Sequence, residues 1–174
     1  DGQVGWGECI SQFREATLAT KIIVEQGLAP LLINENALDV ERHWRRMLDH
    51  VWWYGPEGIA AFAVSAIDMA LWDLAGKTLG QPVCRLLGGQ LHDKVVAMAS
   101  FIFDMEDFDW TLGEFRWLKE QGYHVVKAGW GMRPEAVFGL DRNKDIDIVR
   151  QVRETIGDEL ELIVDPPGAR NIWD

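Results

Sequence analysis

The chain has 174 residues, 48% of them hydrophobic and 26% charged, enough to bury one core of ordinary size together with a small partner domain. Its formal net charge of -11, with Lys and Arg dispersed along the chain, argues against nucleic acid or an anionic membrane surface as a partner, because counterion release needs clustered basic residues. Cys9 and Cys84 lie far apart without metal-ligand spacing, which suits a reducing cytoplasm and gives no disulfide framework.

The longest apolar run, residues 59–74, is interrupted by Ser65, Asp68 and Asp73 and reads as too short to span a bilayer; no signal-peptide pattern opens the chain. The nine tryptophans are scattered, as expected of core or rim packing rather than of a stacking platform.

Taken in order, Asp1-Gly2 reads as a hairpin turn feeding a short strand through Gln3-Val-Gly-Trp-Gly-Glu8. Nothing precedes that turn to pair with the strand. Helical periodicity covers residues 13–28 and, more cleanly, 37–51, where Val40, Trp44, Met47, Leu48 and Val51 form one stripe. A long helix follows between the stop signals Gly55-Pro56 and Gly80-Gln-Pro82, with Ile59, Ala63, Ile67, Ala70, Leu71 and Leu74 as its buried face. In that helix Asp73 and Lys77 have the i,i+4 spacing of a surface ion pair.

After Leu86-Leu-Gly-Gly89 the rhythm changes to strand (94–101), helix (108–121), strand (124–130), helix (143–156, capped by Gly157) and strand (159–165). A domain boundary near residue 90 fits this change. Units of this (βα)(βα)β type build either an open doubly wound sheet or an eight-stranded barrel, and periodicity leaves both open. Alternation along the strands places Val125, Lys127 and Gly129 on one face, and Ile163 and Asp165 on one face with Leu162 and Val164 opposite. A lysine on a sheet face is costly to desolvate unless carboxylates or an anion meet it, and a carboxylate closing a strand suits a hard dication such as magnesium.

The block from Gly58 to Lys77, with Gly5-Trp-Gly-Glu8 and Leu86-Leu-Gly-Gly89 around it and Val126-Lys127 and Val164-Asp165 after it, resembles the mandelate racemase branch of the enolase superfamily. The resemblance implies an α/β chain: the helical part of an α+β capping domain (1–90), then the first three strands of a modified (β/α) TIM-type barrel (91–174). Three strands leave such a barrel open, so the chain reads as a fragment of a protein roughly twice as long.

Members of this branch remove a proton next to a carboxylate with Mg2+ as the electrophile. By resemblance, Asp165 is the first of three carboxylate metal ligands; the Asn often found two residues on is replaced within Pro166-Pro167-Gly168. Family members commonly carry Lys-x-Lys on the second strand, whereas this chain reads Lys127-Ala128-Gly129. The first lysine matches and is implied as a catalytic group at the substrate carboxylate. Glycine cannot take a proton, which disfavours two-base racemisation and leaves room that Trp130 and the following loop could fill.

Ser11, Gln12 and Arg14 are candidate substrate contacts from the capping domain, and Trp130 from the barrel. The implied protein is a magnesium-dependent acid-sugar dehydratase, taking a sugar acid to a 2-keto-3-deoxy acid through an ene-diolate with a His-Asp dyad encoded beyond residue 174. It would be cytoplasmic and, at full length, a homo-oligomer. Its partner is a small-molecule sugar acid, with no nucleic acid and no membrane. A carboxylic-acid racemase or epimerase is the alternative, and a non-catalytic scaffold relative is a third reading. The segment alone is expected to lack turnover.

Overall fold

The computed structural model describes residues 2–11, 13–129 and 141–165. The chain divides into two compact units, Asp1–Asp93 and Lys94–Asp174.

The first unit is helical. Helix α1 (Arg14–Ile22) continues through a π-helical turn, Ile23–Leu28, into the short α2 (Ala29–Leu32). Pro30 gives the physical reason for the turn. Proline has no N–H to donate and its ring crowds the carbonyl four residues back, so the preceding turn widens and the Ala29 amide reaches back to the Val24 carbonyl.

Helix α3 (Val40–His50) buries Val40, His43 and Met47, with Val51 after it. The sequence stripe holds at Val40, Met47, Leu48 and Val51 and fails at one residue: His43 is buried and Trp44 is exposed. His43 belongs inside because its Nε2 lies 2.8 Å from the Asn36 carbonyl oxygen, which satisfies one end of the ring; Nδ1 is buried with no hydrogen-bond partner.

Helix α4 (Ile59–Leu79) begins at Gly58, whose φ is +60°, and ends at Gly80, in the left-handed region. There the Gly80 amide donates to Lys77 and the Gln81 amide to Gly76, the paired bonds of a Schellman stop. With 21 residues it is long and apolar enough to cross a membrane by length and composition, which corrects the sequence reading. A core helix passes the same test, and α4 buries Ala60, Ala63, Val64, Leu71, Ala75 and Gly76 against its neighbours in this unit. The short α5 (Val83–Leu86) and the Gly88-Gly89 turn, both glycines at positive φ, close the unit.

Residues 2–10 form no strand; residues 3–7 lie along α4. The expected alternation still decides their contact. A Cβ on Gly5 would sit 2.0 Å from the Ala70 carbonyl oxygen and one on Gly7 1.9 Å from that of Ala66, so the segment lies backbone against helix only because both side chains are absent and the helix offers alanines. Trp6, between them, is exposed.

The second unit holds an all-parallel sheet in the order β1 (Met98–Ile102), β2 (Val125–Gly129), β3 (Glu161–Asp165). Helices α6 (Phe108–Glu120) and α7 (Arg142–Ile156) form the crossovers, capped by Asp107 and Asp141, whose carboxylates accept from backbone amides of the first turn. The core between sheet and helices joins Ala99, Val126 and Ala128 to Leu112, Phe115 and Leu118 of α6 and Ile148, Val152 and Ile156 of α7. Each large side chain so buried stabilises the unit by about 1.5–3 kcal/mol. The fold class is α/β, with the consecutive parallel βα units that open a (β/α) barrel.

Of the core or rim packing expected of the tryptophans, the described residues show only the rim, where Trp72 packs against the cluster of Val40, Leu71 and Ala75. Trp6, Trp44, Trp52, Trp53, Trp110 and Trp117 are all exposed and Trp72 is half-buried, so among the described residues none is a core side chain.

Candidate active site

The site is built on the sheet face turned away from α6 and α7. Because Val126, Ala128, Leu162 and Val164 pack on the helices, alternation sends Lys127, Ile163 and Asp165 to the opposite face. Parallel register sets Ser100 beside Lys127 and Ile163, and Ile102 beside Gly129 and Asp165. Asp165 is the last residue of β3 and Lys127 lies one step down β2. The two meet across the strands, Lys127 Nζ lying 2.6 Å from Asp165 Oδ2. Their side chains are 37% and 44% exposed, so the pair is wetted and its charges are reachable by a polar ligand.

A carboxylate closing a parallel strand is the oxygen donor that magnesium prefers. Asp165 can give one such ligand while its other oxygen holds the lysine. Among the described residues no group of three His, Cys, Asp or Glu side chains gathers into a metal shell.

Gly129 changes the sequence reading. It is buried, and a Cβ built on it would lie 2.0 Å from the Asp165 carbonyl oxygen and 3.3 Å from the Asp165 Cβ. The missing side chain opens no room; the end of β3 occupies it.

Of the other candidates, Ser11 donates to the Phe13 carbonyl at 2.9 Å and lies 3.0 Å from the Thr17 hydroxyl, an arrangement that shapes the start of α1. Arg14 is exposed at the first position of that helix. Both belong to the first unit, whereas Lys127 and Asp165 belong to the second. Gln12 and Trp130, with the loop 133–140 and Pro166-Pro167-Gly168, lie outside the described residues.

Two residues that the sequence reading held to be a helix-surface pair do more. Asp73 accepts from Lys77 at 2.5 Å and from the Trp6 amide at 2.7 Å, and Lys77 also donates to the Val4 carbonyl at 2.8 Å. The ion pair therefore clamps the backbone of the segment leading to Ser11. The i,i+4 spacing signals the pair, but nothing in the sequence signals its third partner.

Parallel βα units that follow a helical unit in the chain, with a lysine and an aspartate in contact near the carboxyl end of neighbouring strands, describe an α/β protein of the kind that opens a (β/α) barrel. Residues 1–88 match the family described as mandelate racemase / muconate lactonizing enzyme, N-terminal domain. The chain belongs to that family.

It is 31% identical over 168 residues to the D-galactarolactone cycloisomerase of Agrobacterium fabrum, covering 95% of this chain and 41% of the relative. It is 27% identical over 174 residues to the arabinonate dehydratase of Saccharolobus solfataricus, covering 99% and 43%. A solved mandelate racemase/muconate lactonizing protein of Paracoccus denitrificans, complexed with magnesium, superposes with a TM-score of 0.82 at 34% identity over 95% of this chain and 44% of that one. The chain thus spans less than half the length of these relatives.

Proposed function

We propose that this chain is part of a magnesium-dependent hydro-lyase that dehydrates a sugar acid to a 2-keto-3-deoxy acid. The observation that carries the reading is the Lys127–Asp165 contact at the carboxyl end of two parallel strands, beside a glycine where a second lysine would be needed for two-base chemistry. Its support is the family together with relatives named as dehydratases of arabinonate, L-rhamnonate and D-galactonate. The enzyme would be cytoplasmic, in keeping with two free and exposed cysteines, and homo-oligomeric.

In this reading Asp165 contributes one oxygen to the magnesium site, and the ion, when bound, supplies electrophilic stabilisation of the carboxylate as the α-proton leaves. Lys127 holds Asp165 on one side and presents its ammonium to the substrate carboxylate on the other. An ammonium aimed there stabilises charge that grows as the proton departs, and it does so without reorganisation because Asp165 already fixes it. No group on β2 stands beside it to take a proton from the same face. A single base elsewhere in the whole enzyme would therefore take the α-proton once; the β-hydroxyl group leaves with a proton as water, and the resulting enol takes a proton at the β-carbon, not back at the α-carbon, to give the keto acid.

A second reading rests on two relatives named as cycloisomerases, of D-galactarolactone and of 3,6-anhydro-D-galactonate. In this second reading of the present chain a single proton is removed, and a ring oxygen leaves in place of the hydroxyl group. The test is to incubate the protein that carries this chain with aldonic and aldaric acids and with sugar-acid lactones and anhydrides, with and without magnesium. Formation of a 2-keto-3-deoxy acid from an open-chain acid supports the first reading. Reaction of the cyclic substrates alone supports the second. Exchange of the α-proton with solvent and no keto-acid product would sink both.

A further inference from the structure

We infer that Gly129 is a positioning residue of the site: its bare Cα lets the end of β3 close on β2 so that the Asp165 carboxylate reaches Lys127. The inference rests on the reading of Lys127 and Asp165 as the working pair. Three observations converge on it. Gly129 and Asp165 are register partners in adjacent parallel strands, so whatever stands at 129 meets the residue that ends β3. A Cβ at 129 would lie 2.0 Å from the Asp165 carbonyl oxygen, 3.0 Å from its carbonyl carbon and 3.3 Å from its Cβ. The first two neighbours are backbone, which cannot turn aside as a flexible side chain can, so any larger residue moves the strand end itself. Finally, the Lys127 Nζ to Asp165 Oδ2 separation is 2.6 Å, a contact that a displacement of about one ångström at Asp165 would lengthen beyond hydrogen-bond range.

The glycine ends β2, where a residue with a side chain would favour strand formation, and it contributes nothing to packing of its own. The same geometry bears on specificity. Placing a lysine at 129 would need the Cβ that the strand end excludes, so Gly129→Lys does not add a second base to this arrangement; it displaces Asp165.

The readout is the 15N resonance of the Lys127 ammonium in the isotope-labelled whole protein that carries this chain, assigned by its disappearance in Lys127→Arg. Asp165→Asn removes the carboxylate charge and moves the resonance; Gly129→Ala is expected to move it in the same direction and by most of the same displacement. Gly113→Ala, in α6 of the same unit with open space at its Cβ, leaves it in place. A Gly129→Ala chain that stays folded with the Lys127 resonance unmoved would overturn the inference, as would an Asp165→Asn chain in which that resonance does not shift.

Should Gly129→Ala fail to fold, the wild-type chain still decides. The α-proton of Gly129 that occupies the Cβ direction must show a strong nuclear Overhauser contact to the β-protons of Asp165, and its absence rejects the close approach. Neither readout involves turnover, so failure of the positioning role is seen separately from failure of the dehydratase reading.

Discussion

The Asp73 carboxylate accepts a hydrogen bond from the Trp6 backbone amide at 2.7 Å, joining residues 67 positions apart. The Lys77 ammonium beside Asp73 and, after it, that amide hold the Asp73 carboxyl below the ordinary carboxylate range. A folded-state value below the unfolded value of 3.8 means the contribution is full above that value and is lost as pH falls through the folded one. Asp73→Asn is therefore expected to speed amide exchange at Trp6 at neutral pH and to make no difference in strong acid. Equal Trp6 protection in the two chains at pH 7 would rule the clamp out.

Gly5→Ala and Gly7→Ala test the same docking by shape instead of charge. Each added methyl would lie 2.0 or 1.9 Å from a helix carbonyl oxygen, far inside van der Waals contact, so the segment must shift; overpacking of this kind costs about 1–3 kcal/mol unless the segment lifts away. Denaturant unfolding should show a lowered midpoint for both, or an unchanged midpoint with residues 2–8 unprotected from exchange if the segment has lifted. An unchanged midpoint with the segment still protected contradicts the packing.

Asp68 behaves oppositely to Asp73 on the same helix. Partial burial and, after it, the negative charge of Glu41 raise its carboxyl above the usual 3.8. The folded protein therefore binds this proton more readily than the unfolded chain, and ionisation of Asp68 works against folding at neutral pH. Asp68→Asn should raise the thermal midpoint at pH 7, with the gain shrinking as pH drops through the folded value and vanishing below 3.8. A gain that is the same at every pH would mean that charge is not the cause.

Alternation and helical period were enough to place β1 to β3, α6 and α7 and to separate the two faces of the sheet, because Val126, Ala128, Leu162 and Val164 leave Lys127 and Asp165 no choice of side. Contacts made by absent side chains were not legible. Gly5 and Gly7 read as part of a short strand and Gly129 as open space, since a sequence shows that a Cβ is missing and not what fills its place. Period also failed between His43 and Trp44, where the more apolar residue seemed the better core candidate and a carbonyl partner for the imidazole decided otherwise. The π-turn before Pro30 was marked only by the proline, whose effect depends on whether the helix breaks or widens.

If the proposed function holds, Lys127 and Asp165 separate cleanly in the whole enzyme, since it has one act on charge in the substrate and the other on the metal. Asp165→Asn removes a hard anionic oxygen and should weaken magnesium binding. Lys127→Ala instead frees Asp165 from a competing cation at 2.6 Å, so magnesium should bind at least as tightly while turnover falls. Loss of a donor that stabilises developing charge is worth about 10²–10³ in kcat. Lys127→Arg keeps the charge but spreads it over a planar fork, so partial activity is expected. Titration with Mn2+ as a paramagnetic stand-in, alongside steady-state kinetics at saturating magnesium, measures both effects. Weaker metal binding in Lys127→Ala than in Asp165→Asn would reverse the two roles.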